Sequence, residues 1–496
     1  MNLLDRRSLL AGAGALLGAA ACSRPPAAAG GAGERQLPIP PLIDARLQGQ
    51  SINLRAQAGK TSFYPGRPSN TLGYNGSYLG PTLRVHRGDE VKVAVTNDMA
   101  ADTTVHWHGL LVPGDLDGGP HQIIAPAATW RPTLPIRQPA ATLFYHSHAH
   151  RLTGEQVYSG LAGVLLVSDE EEQGLGLPSD YGVDDLPLVI QDRQFRDGRL
   201  IVPAGMMLAM QGRRGDTILV NGAPTPMARV PNRLVRLRLV NGSNARIYEL
   251  TFSDRRGFHW IGAEGGLLDR PVELQAITLA PGQRAELLVD FTDGKPVSLV
   301  TAPDANASRV GMMGGMGMTG RGAGADGAGP PATVLRFAPQ PLGQARASPP
   351  VPGLLASRAR PDRAKAVQHR RLVLNMGMGS MMGSGGGGMA LTITGKAFDT
   401  NRIDERVKLG ATEIWEVSGE TMRHPVHIHG VHFDVLSRGG GAPDVLDQGP
   451  RDTVLVKEPV ELLVKFDQPA TGAPFMYHCH ILEHEDNGMM GQFAVA

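Results

Sequence analysis

Cysteine is scarce in this sequence, since its 496 residues include only Cys22 and Cys479. Cys22 lies in an N-terminal segment that is typical of export signals, and removal of that segment would leave Cys479 alone. A chain with one mature cysteine cannot form an internal disulfide, even in an oxidising compartment. The thiol of Cys479 therefore needs an explanation other than cross-linking.

The chain also lacks an excess of charge of either sign. Its 48 Lys and Arg residues and 47 Asp and Glu residues give a formal net charge of +1. This balance provides no electrostatic footprint for nucleic acid or for an anionic membrane surface. The sequence contains no heptad repeat and no apolar stripe reserved for another protein, so we expect a monomer that acts on small molecules.

The length and the abundant turn residues indicate several all-β domains. A chain of 496 residues exceeds the size at which one hydrophobic core stops growing. Its 64 glycines and 38 prolines favour many turns and short strands, and β-branched runs such as Glu90–Val95 have strand length. We predict three consecutive Greek-key β-sandwich domains, at residues 37–170, 186–339 and 367–496, with a linker rich in Pro, Ala and Arg at 340–366.

Residues 1–36 are expected to be an export signal and leader that take no part in the fold. Arg6 and Arg7 precede a weakly hydrophobic run of Ala, Gly and Leu that ends near Ala21. This resembles a twin-arginine signal, which carries folded proteins across the membrane, and it predicts a periplasmic protein. An ordinary secretory signal is the alternative. Cys22 is either lipidated, as the chain's single membrane anchor, or removed with the signal.

Two tracts rich in Met and Gly interrupt the strand pattern, at Gly311–Met318 and Met376–Met389. So much glycine makes a segment costly to order, and neither tract alternates as a strand does. Thioether sulfur is a ligand for soft metal ions. The tracts are therefore either flexible filler or a surface that binds a soft metal.

Eight of the 16 histidines fall in four His-x-His pairs, which are His106/His108, His146/His148, His427/His429 and His478/His480. Alternate side chains of a strand point to the same face, so each pair on a strand presents two neighbouring imidazoles. One closed zinc site takes about four ligands. Eight imidazoles on converging strands exceed that number and favour a cluster of copper ions.

Cys479 lies between the two histidines of the last pair. On a strand its sulfur points away from the face that carries His478 and His480, so it can bind a different ion while the backbone joins it to both neighbours. A blue-copper site requires two imidazoles, a thiolate and a weak axial thioether. The chain contains such a set, consisting of His424, Cys479, His484 and Met489.

These motifs resemble the four copper-binding motifs of the multicopper oxidases in their order and spacing. The residues that carry the resemblance are His106-Trp107-His108-Gly109, His146-Ser147-His148, His424-Pro425-Val426-His427-Ile428-His429 and the segment from His478 to Met489. The resemblance covers the first and third predicted domains in detail and the middle one loosely. It is strongest to the bacterial periplasmic cuprous oxidases of copper resistance, and it implies cupredoxin-like domains that use dioxygen as acceptor.

The resemblance also implies four copper ions: one of type 1 at the Cys479 set, one of type 2 and a type 3 pair. The type 2 ion would bind His106 and His427, one type 3 ion would bind His108, His146 and His480, and the other would bind His148, His429 and His478. The remaining histidines are interpreted as structural or surface residues: His86, His121, His150, His259, His369 and His432.

Two acids, Asp117 and Glu485, occupy positions that resemble the proton-supplying acids of the family. Reduction of dioxygen to water consumes four protons as well as four electrons, so acids near the cluster are expected. The alternatives are turn chemistry for Asp117 and a surface carboxylate for Glu485.

The expected substrate is Cu(I), which requires soft sulfur ligands near the blue copper. Glu420 and Met422 lie just before His424, and Met376 is similar to the family's substrate-copper methionine. We expect these three residues to bind Cu(I). The resembled family has an acid a few positions after that methionine, whereas residues 376–389 contain none. Glu420 is therefore the main candidate for the carboxylate ligand.

Other functions remain open for the same motifs. A laccase-like phenol or amine oxidase would use the same four coppers with an open apolar pocket above His484. A copper-storage protein would bind the metal without consuming dioxygen. A copper-free structural cupredoxin-repeat protein, with a binding or division role, would be expected to have lost ligands, yet every ligand position here is filled.

Overall fold

The computed structural model describes residues 35–304, 306, 330–341, 350–377 and 390–496. The predicted export signal with Cys22, the tract at 311–318 and residues 378–389 of the second Met-rich tract lie outside the described residues. Within the described part, the strands form six sheets in three pairs, each pair drawn from one consecutive stretch of chain. The all-β fold with three consecutive sandwiches is therefore confirmed.

The first sandwich consists of two five-stranded sheets. Its strands are β1 (Leu42–Asp44), β2 (Ser51–Tyr64), β3 (Arg67–Tyr74), β4 (Thr82–His86), β5 (Glu90–Asn97), β6 (His106–His108), β7 (Thr129–Trp130), β8 (Thr133–Pro135), β9 (Ala141–His146) and β10 (Ala162–Ser168). One sheet has the order β1-β4-β10-β9-β6, and the other has the order β3-β2-β5-β7 with β8 beside β5. In β5 the valines 91, 93 and 95 are buried, because alternate side chains of a strand face the core.

The second sandwich pairs an eight-stranded sheet with a five-stranded one. Its strands are β11 (Asp185–Arg196), β12 (Arg199–Ile201), β13 (Thr217–Val220), β14 (Ala223–Pro224), β15 (Met227–Pro231), β16 (Leu234–Asn241), β17 (Tyr248–Phe252), β18 (Phe258–Ala263), β19 (Gly266–Leu274), β20 (Ala276–Leu279), β21 (Arg284–Asp290), β22 (Val297–Thr301) and β23 (Ala332–Gln340). The larger sheet follows β14-β13-β11-β16-β21-β18-β19 with β12 beside β11, and the smaller follows β15-β23-β22-β17-β20. Leu37 and Leu355 pack into this second core, although each lies beyond its strands in the sequence.

The third sandwich again has two five-stranded sheets. Its strands are β24 (Ala366–Gly377), β25 (Ala390–Ile393), β26 (Glu405–Val407), β27 (Thr412–Gly419), β28 (His424–Ile428), β29 (Phe433–Arg438), β30 (Thr453–Val456), β31 (Val460–Lys465), β32 (Ala470–Cys479) and β33 (Met490–Val495). The sheet orders are β25-β24-β27-β31-β29 and β26-β33-β32-β28-β30. Cys479 and Met489 belong to the apolar core of this sandwich.

In the part of the chain that the structure describes, four short α-helices lie between the strands, namely α1 (Thr153–Ser159), α2 (Glu170–Gly174), α3 (Met206–Gln211) and α4 (Leu482–Asp486). No helix among the described residues is long and apolar enough to cross a membrane. The side chain of Asp486 in α4 accepts the amides of Thr153 and Gly154, at 3.1 and 2.8 Å, so an acid of the third sandwich caps the first turn of α1. This contact holds α4 against the first sandwich.

A buried network of ion pairs joins the first two sandwiches. The carboxylate of Glu286 pairs with the guanidiniums of Arg236 and Arg238, and it accepts the hydroxyl of Thr142 in the first sandwich at 2.7 Å. Glu172 of α2 pairs with both arginines as well, at 2.7 and 3.2 Å. Buried charges are tolerated only when they are paired in this way, so the network fixes how the two sandwiches pack.

Candidate metal centre

Strand pairing brings the histidine motifs together two at a time. In the first sandwich β6 runs antiparallel to β9, and His106 lies opposite His146. In the third sandwich β28 runs antiparallel to β32, and His427 lies opposite His478. The two sheets face each other across the junction, because the ring nitrogens Nε2 of His106 and His427 are 3.4 Å apart.

The four pairs differ in their secondary structure. Only His106 and His108 lie together within one strand. In the other three pairs the strand ends at the first histidine or one residue after it, at His146, Ile428 and Cys479. The expectation that every pair sits on a regular strand is therefore wrong for these three, because the chain must leave the sheet there to turn towards α1, β29 and α4.

The eight paired histidines form three groups whose ring nitrogens lie within 4.8 Å of one another. The groups are His106, His108 and His427; His108, His146 and His480; and His148, His429 and His478. The structure thus brings together the residues predicted for the type 2 copper and for each type 3 copper. His108 belongs to two of the three groups.

Cys479 forms a fourth group with His424 and His484. Its sulfur lies 3.4 Å from Nδ1 of His424 and 3.5 Å from Nδ1 of His484. Met489 is fully buried in the same core, and its carbonyl accepts the amide of Cys479 at 3.1 Å. These are the donor types of a blue-copper site, and none of them is shared with the histidine groups.

Burial sets the protonation of the donors. It is the largest cause that lowers the pKa of His148 and of His478 to about 3, and that of His427 and of His424 to about 4. These imidazoles are neutral at neutral pH and keep a lone pair for a metal ion. Burial also raises the pKa of the Cys479 thiol, so its proton leaves only when a metal ion takes its place.

The rings fit metal ions better than they fit a hydrogen-bonded core. Both ring nitrogens of His480 are buried, and neither has a hydrogen-bond partner among the described residues. Leaving one such group unsatisfied costs about 1–3 kcal/mol, which a metal bond would remove. Imidazole nitrogen and thiolate sulfur are ligands that copper accepts, so the donor sets fit this metal.

Three buried carboxylates lie close to the outer nitrogens of the histidine rings. Asp117 Oδ2 lies 2.7 Å from Nδ1 of His429 and 3.2 Å from Nδ1 of His106. Glu485 lies 3.3 Å from Nδ1 of His148 and 3.1 Å from Nδ1 of His478. The two predicted acids are therefore neither surface carboxylates nor turn residues alone, because each spans two rings of the centre.

The third carboxylate, Asp452, was missed by sequence reasoning. Its Oδ1 lies 3.1 Å from Nε2 of His108, and its backbone carbonyl accepts Nδ1 of His427 at 2.9 Å. Arg284 of the second sandwich pairs with it at 2.6 Å. The only signal in the sequence is a charged pair, Arg451 and Asp452, directly before the apolar run of β30.

The residues predicted to bind Cu(I) all lie in the third sandwich, and one of them, Glu420, contacts the outer edge of His424. The Nε2 atom of His424 donates to the carbonyl of Glu420 at 3.2 Å, and the amide of Glu420 donates to Leu374, two residues before Met376. The Glu420 side chain is exposed, while Met422 is buried and Met376 packs on the same apolar core. The structure therefore places the Glu420 backbone against His424, and Met422 and Met376 in the apolar core of the same sandwich.

A further contact closes the outer edge of His484. Its Nε2 donates to the carbonyl of Met210 in α3 at 3.0 Å, and the imidazole is fully buried. Beside it is a cavity of about 730 Å³, whose lining includes Met210, Phe398, Glu483 and Asp486. Sequence reasoning missed Met210, because it lies 274 residues from His484 and in another sandwich.

The histidines outside the motifs have other partners or surroundings. His86 lies 3.4 Å from Asp44, and His121 contacts Gln492 at 2.8 Å. The ring of His150 packs edge-to-face against that of Phe398. Half-buried His432 contacts the carbonyl of Gly109, and His259 and His369 lie on strands. None of the six belongs to a group of metal-binding side chains among the described residues.

Comparisons with known proteins point to one family. Two models described as multicopper oxidase match residues 55–172 and 370–496. The chain is 38% identical to the cell division protein FtsP of Xenorhabdus nematophila over 464 residues, 93% of this chain and 92% of that protein. It is 36% identical to the multicopper oxidase mco of Staphylococcus aureus over 473 residues, 93% of both chains.

Among solved structures, the fold is similar to that of CueO, a bacterial laccase-like multicopper oxidase from Ochrobactrum sp. described as having oxidase activity towards lignin model compounds and lignosulfonate. The TM-score is 0.83 at 39% sequence identity, and the match covers 93% of this chain and all of that one.

Proposed function

Since the chain belongs to the multicopper oxidase family, we propose that it couples the one-electron oxidation of Cu(I) to the four-electron reduction of dioxygen to water. Family membership supports an oxidoreductase that contains copper and uses dioxygen. The choice of Cu(I) as reductant, and a role in copper detoxification, are the finer parts of the proposal.

We assign four copper ions to the donor groups. The type 1 ion would be held by Cys479 with His424, His484 and Met489, the type 2 ion by His106 and His427, and the type 3 pair by the other six paired histidines. When bound, copper would supply the electron transfer and the dioxygen chemistry. The peptide units around Cys479 join its sulfur covalently to His478 and His480, so the two kinds of site are connected without a gap.

Asp117 and Glu485 are proposed as the acids of the reaction. Each carboxylate contacts two imidazoles, and both acids are buried where water has little access. In such surroundings a carboxyl group is a short-range proton carrier, and it also orients the rings that it contacts.

One observation carries the proposal of Cu(I) over a phenol. His424 and His484, the two histidines grouped with the Cys479 sulfur, are fully buried. Their outer nitrogens are hydrogen-bonded to the carbonyls of Glu420 and Met210. A phenol therefore has no free imidazole edge to contact, whereas a metal ion needs only donor atoms on the covering segments. Those segments supply a carboxylate and thioethers, which suit Cu(I) and its oxidised product.

The proposal is tested with Glu420→Gln and Met422→Leu in the copper-loaded protein. Both changes preserve size, so the rate of Cu(I) oxidation is expected to fall while the rate with a dimethoxyphenol changes little. Met99→Leu, a buried methionine of the first core, serves as the matched control. Equal losses on both substrates would argue against a dedicated Cu(I) site.

Two further functions are weighed against this one. A laccase-like phenol or amine oxidase is favoured by the similarity to the laccase-like CueO and by the ligand-sized cavity beside Met210. A part in cell division is favoured by the similarity to FtsP. Complementation of a division defect by the Cys479→Ser protein would support a role that needs no oxidase.

We also propose that the protein is exported to the periplasm and acts as a monomer. The support for export is Arg6 and Arg7 ahead of an apolar run, and Cys22 is the candidate for a lipid anchor. Mass spectrometry of the mature protein distinguishes the outcomes, since a mature N-terminus beyond Cys22 excludes the anchor.

A further inference from the structure

The chain leaves the first sandwich's sheet between His146 and His148. Strand β9 ends at His146, so His148 lies beyond the antiparallel ladder that β9 forms with β10. The two rings belong to different donor groups, and their centroids are 6.1 Å apart with planes inclined by 21°. Because only Ser147 separates the two histidines, the conformation of this turn sets how far apart the two groups lie.

A buried glutamine of α1, Gln156, binds the side chain of Ser147. Its Oε1 atom accepts the hydroxyl of Ser147 at 2.5 Å and that of Thr103 at 2.8 Å, and both hydroxyl residues are buried as well. Its Nε2 atom donates to the backbone carbonyl of Asp102 at 2.7 Å. Because a carbonyl only accepts hydrogen bonds, this contact fixes which end of the amide faces the hydroxyls. The glutamine thus ties Ser147 to the segment that precedes β6.

The backbone of the turn is bound to the same surroundings. The amide of Ser147 donates to the carbonyl of Leu161 at 3.3 Å, and the amide of Leu161 donates to the carbonyl of Gln156 at 3.0 Å. The amide of His148 donates to the hydroxyl of Thr104 at 2.8 Å. Since buried N–H groups need partners, these bonds take over where the ladder of β9 ends.

Helix α1 is itself held by the other two sandwiches. Asp486 of the third sandwich accepts the amides of Thr153 and Gly154, and Asn244 of the second donates to the carbonyl of Gly154 at 2.8 Å. Gln156 lies in the same short helix. The anchor of the turn therefore depends on how all three sandwiches pack.

We propose that Gln156 is a positioning residue for the type 3 copper pair. Through Ser147 it fixes the turn that sets the separation between the rings of His146 and His148. The inference rests on the proposed copper cluster, and it gives α1, which contains no predicted ligand, a part in forming that cluster. Without Gln156 two buried hydroxyls lose their acceptor, so the turn would shift to satisfy them elsewhere. Groups that orient metal ligands from behind typically change metal affinity by about 10- to 100-fold.

The test begins with the metal-free protein and Gln156→Leu, which keeps the approximate size of the side chain and removes its polar atoms. Hydrogen–deuterium exchange followed by mass spectrometry is expected to be severalfold faster in the peptide around Ser147 than in the wild-type protein. Exchange in the strands of the third sandwich should not change. Unchanged exchange around Ser147 overturns the proposal, since the turn would then be held without Gln156.

The copper pair of the loaded protein is the second readout. A closely spaced pair of cupric ions is magnetically coupled and silent in electron paramagnetic resonance. Gln156→Leu is therefore expected to increase the fraction of bound copper that this method detects, while the blue absorption of the Cys479 group is retained. Competition with a chelator should show that the most weakly held copper binds about 10-fold more weakly. An undisturbed pair with unchanged affinity contradicts the proposal.

Gln191→Leu is the matched control for both readouts. Gln191 is also a fully buried glutamine, and it accepts the hydroxyl of Tyr78 at 3.0 Å and donates to the carbonyl of Gly242 at 3.3 Å. None of these contacts is with a predicted ligand. An equal change of the copper pair in this control would mean that Gln156 has only a structural role.

Ser147→Ala covers the case in which Gln156→Leu does not fold. It removes one hydroxyl and one hydrogen bond, so the same changes are expected with a smaller size. No change in the turn or in the copper pair would contradict the proposal. Because exchange is measured without copper, a wild-type protein that binds the coupled pair but consumes no dioxygen would reject the proposed function and not the role of Gln156.

Discussion

The outer ring nitrogen of His484 lies 3.0 Å from the carbonyl oxygen of Met210. Met210 belongs to α3 of the second sandwich, so an element without predicted copper ligands covers the histidine at which a docked reductant would otherwise make contact. The cover satisfies the N–H of a fully buried imidazole, which makes it a stable part of the site.

Replacement of α3, residues 206–211, by a Gly-Ser linker of equal length is expected to expose His484. The kcat/KM for a dimethoxyphenol should rise severalfold, because the phenol can then contact the imidazole edge, and Cu(I) oxidation should not rise with it. Met210→Leu is the control and should leave phenol oxidation unchanged, since the hydrogen bond comes from the backbone. No gain for the phenol after the replacement would mean that α3 does not limit access.

Cys479→Ser is expected to abolish the intense blue absorption and the oxidase activity together. Serine lacks the thiolate on which the absorption and the electron path depend, while the histidine groups remain. Visible absorption and copper content per chain measure this outcome. The exposed His369→Gln is the control and should retain both. Oxidase activity in the serine variant would contradict the assigned path.

Glu485→Gln is expected to slow reoxidation of the reduced protein by dioxygen by about 100-fold, because a proton-carrying carboxyl group is removed. Reduction of the blue copper should be unaffected, since the Glu485 carboxylate lies against the rings of His148 and His478, which belong to the histidine groups and not to the Cys479 group. Stopped-flow absorption separates the two half-reactions.

Asp117→Asn should behave like Glu485→Gln, since Asp117 contacts His106 and His429 in the same way. Asp115→Asn, an exposed acid of the same turn, is its control. Slower reduction of the blue copper in either acid variant would point to a general loss of structure.

Much of the site is predictable from sequence because its motifs are local. Alternation along a strand puts His106 beside His108, and the position of Cys479 between two histidines separates its sulfur from their rings. The residues missed, Asp452, Arg284 and Met210, act through contacts between sandwiches, which span 168 residues for Arg284 and Asp452. No local pattern encodes such packing, and a single Arg or Asp carries no periodic signal.

In the fold too, features set by local sequence were predictable, whereas features set by long-range packing were not. Short runs of apolar residues indicate strands such as β5 and β16, and the order of three sandwiches follows from length and turn content. The packing of Leu37 and Leu355 into the second core was not predictable, because each is an isolated apolar residue outside the strand runs. The ends of three histidine strands also depend on the turns that follow them.

The buried ion network predicts a stability effect at Glu286. Burial would raise the pKa of this carboxyl, but Arg236 and Arg238 outweigh it and lower the pKa from 4.5 to about 2. Because this pKa is depressed, the ionised Glu286 stabilises the fold fully above pH 4.5. The contribution is lost as the pH falls from 4.5 towards 2.

Glu286→Gln should therefore lower the free energy of unfolding at pH 7 by about 3–5 kcal/mol, because two buried guanidiniums lose a partner. It should also weaken the dependence of stability on pH in the acid range. Urea unfolding at several pH values measures both effects. Glu90→Gln, in an exposed pair with Arg137, is the control and should cost less than about 1 kcal/mol. Equal costs for both variants would contradict the role of the buried network.

Oxygen uptake by the copper-loaded protein distinguishes Cu(I) from a phenol as its electron donor. Cu(I) and a dimethoxyphenol serve as separate electron donors, and the phenol reaction is repeated with excess Cu(II). We predict rapid uptake with Cu(I), and phenol oxidation only when Cu(II) is added. Rapid phenol oxidation without added copper, together with a slow reaction of Cu(I), would contradict it and favour a laccase, and no uptake with either donor would contradict an oxidase altogether.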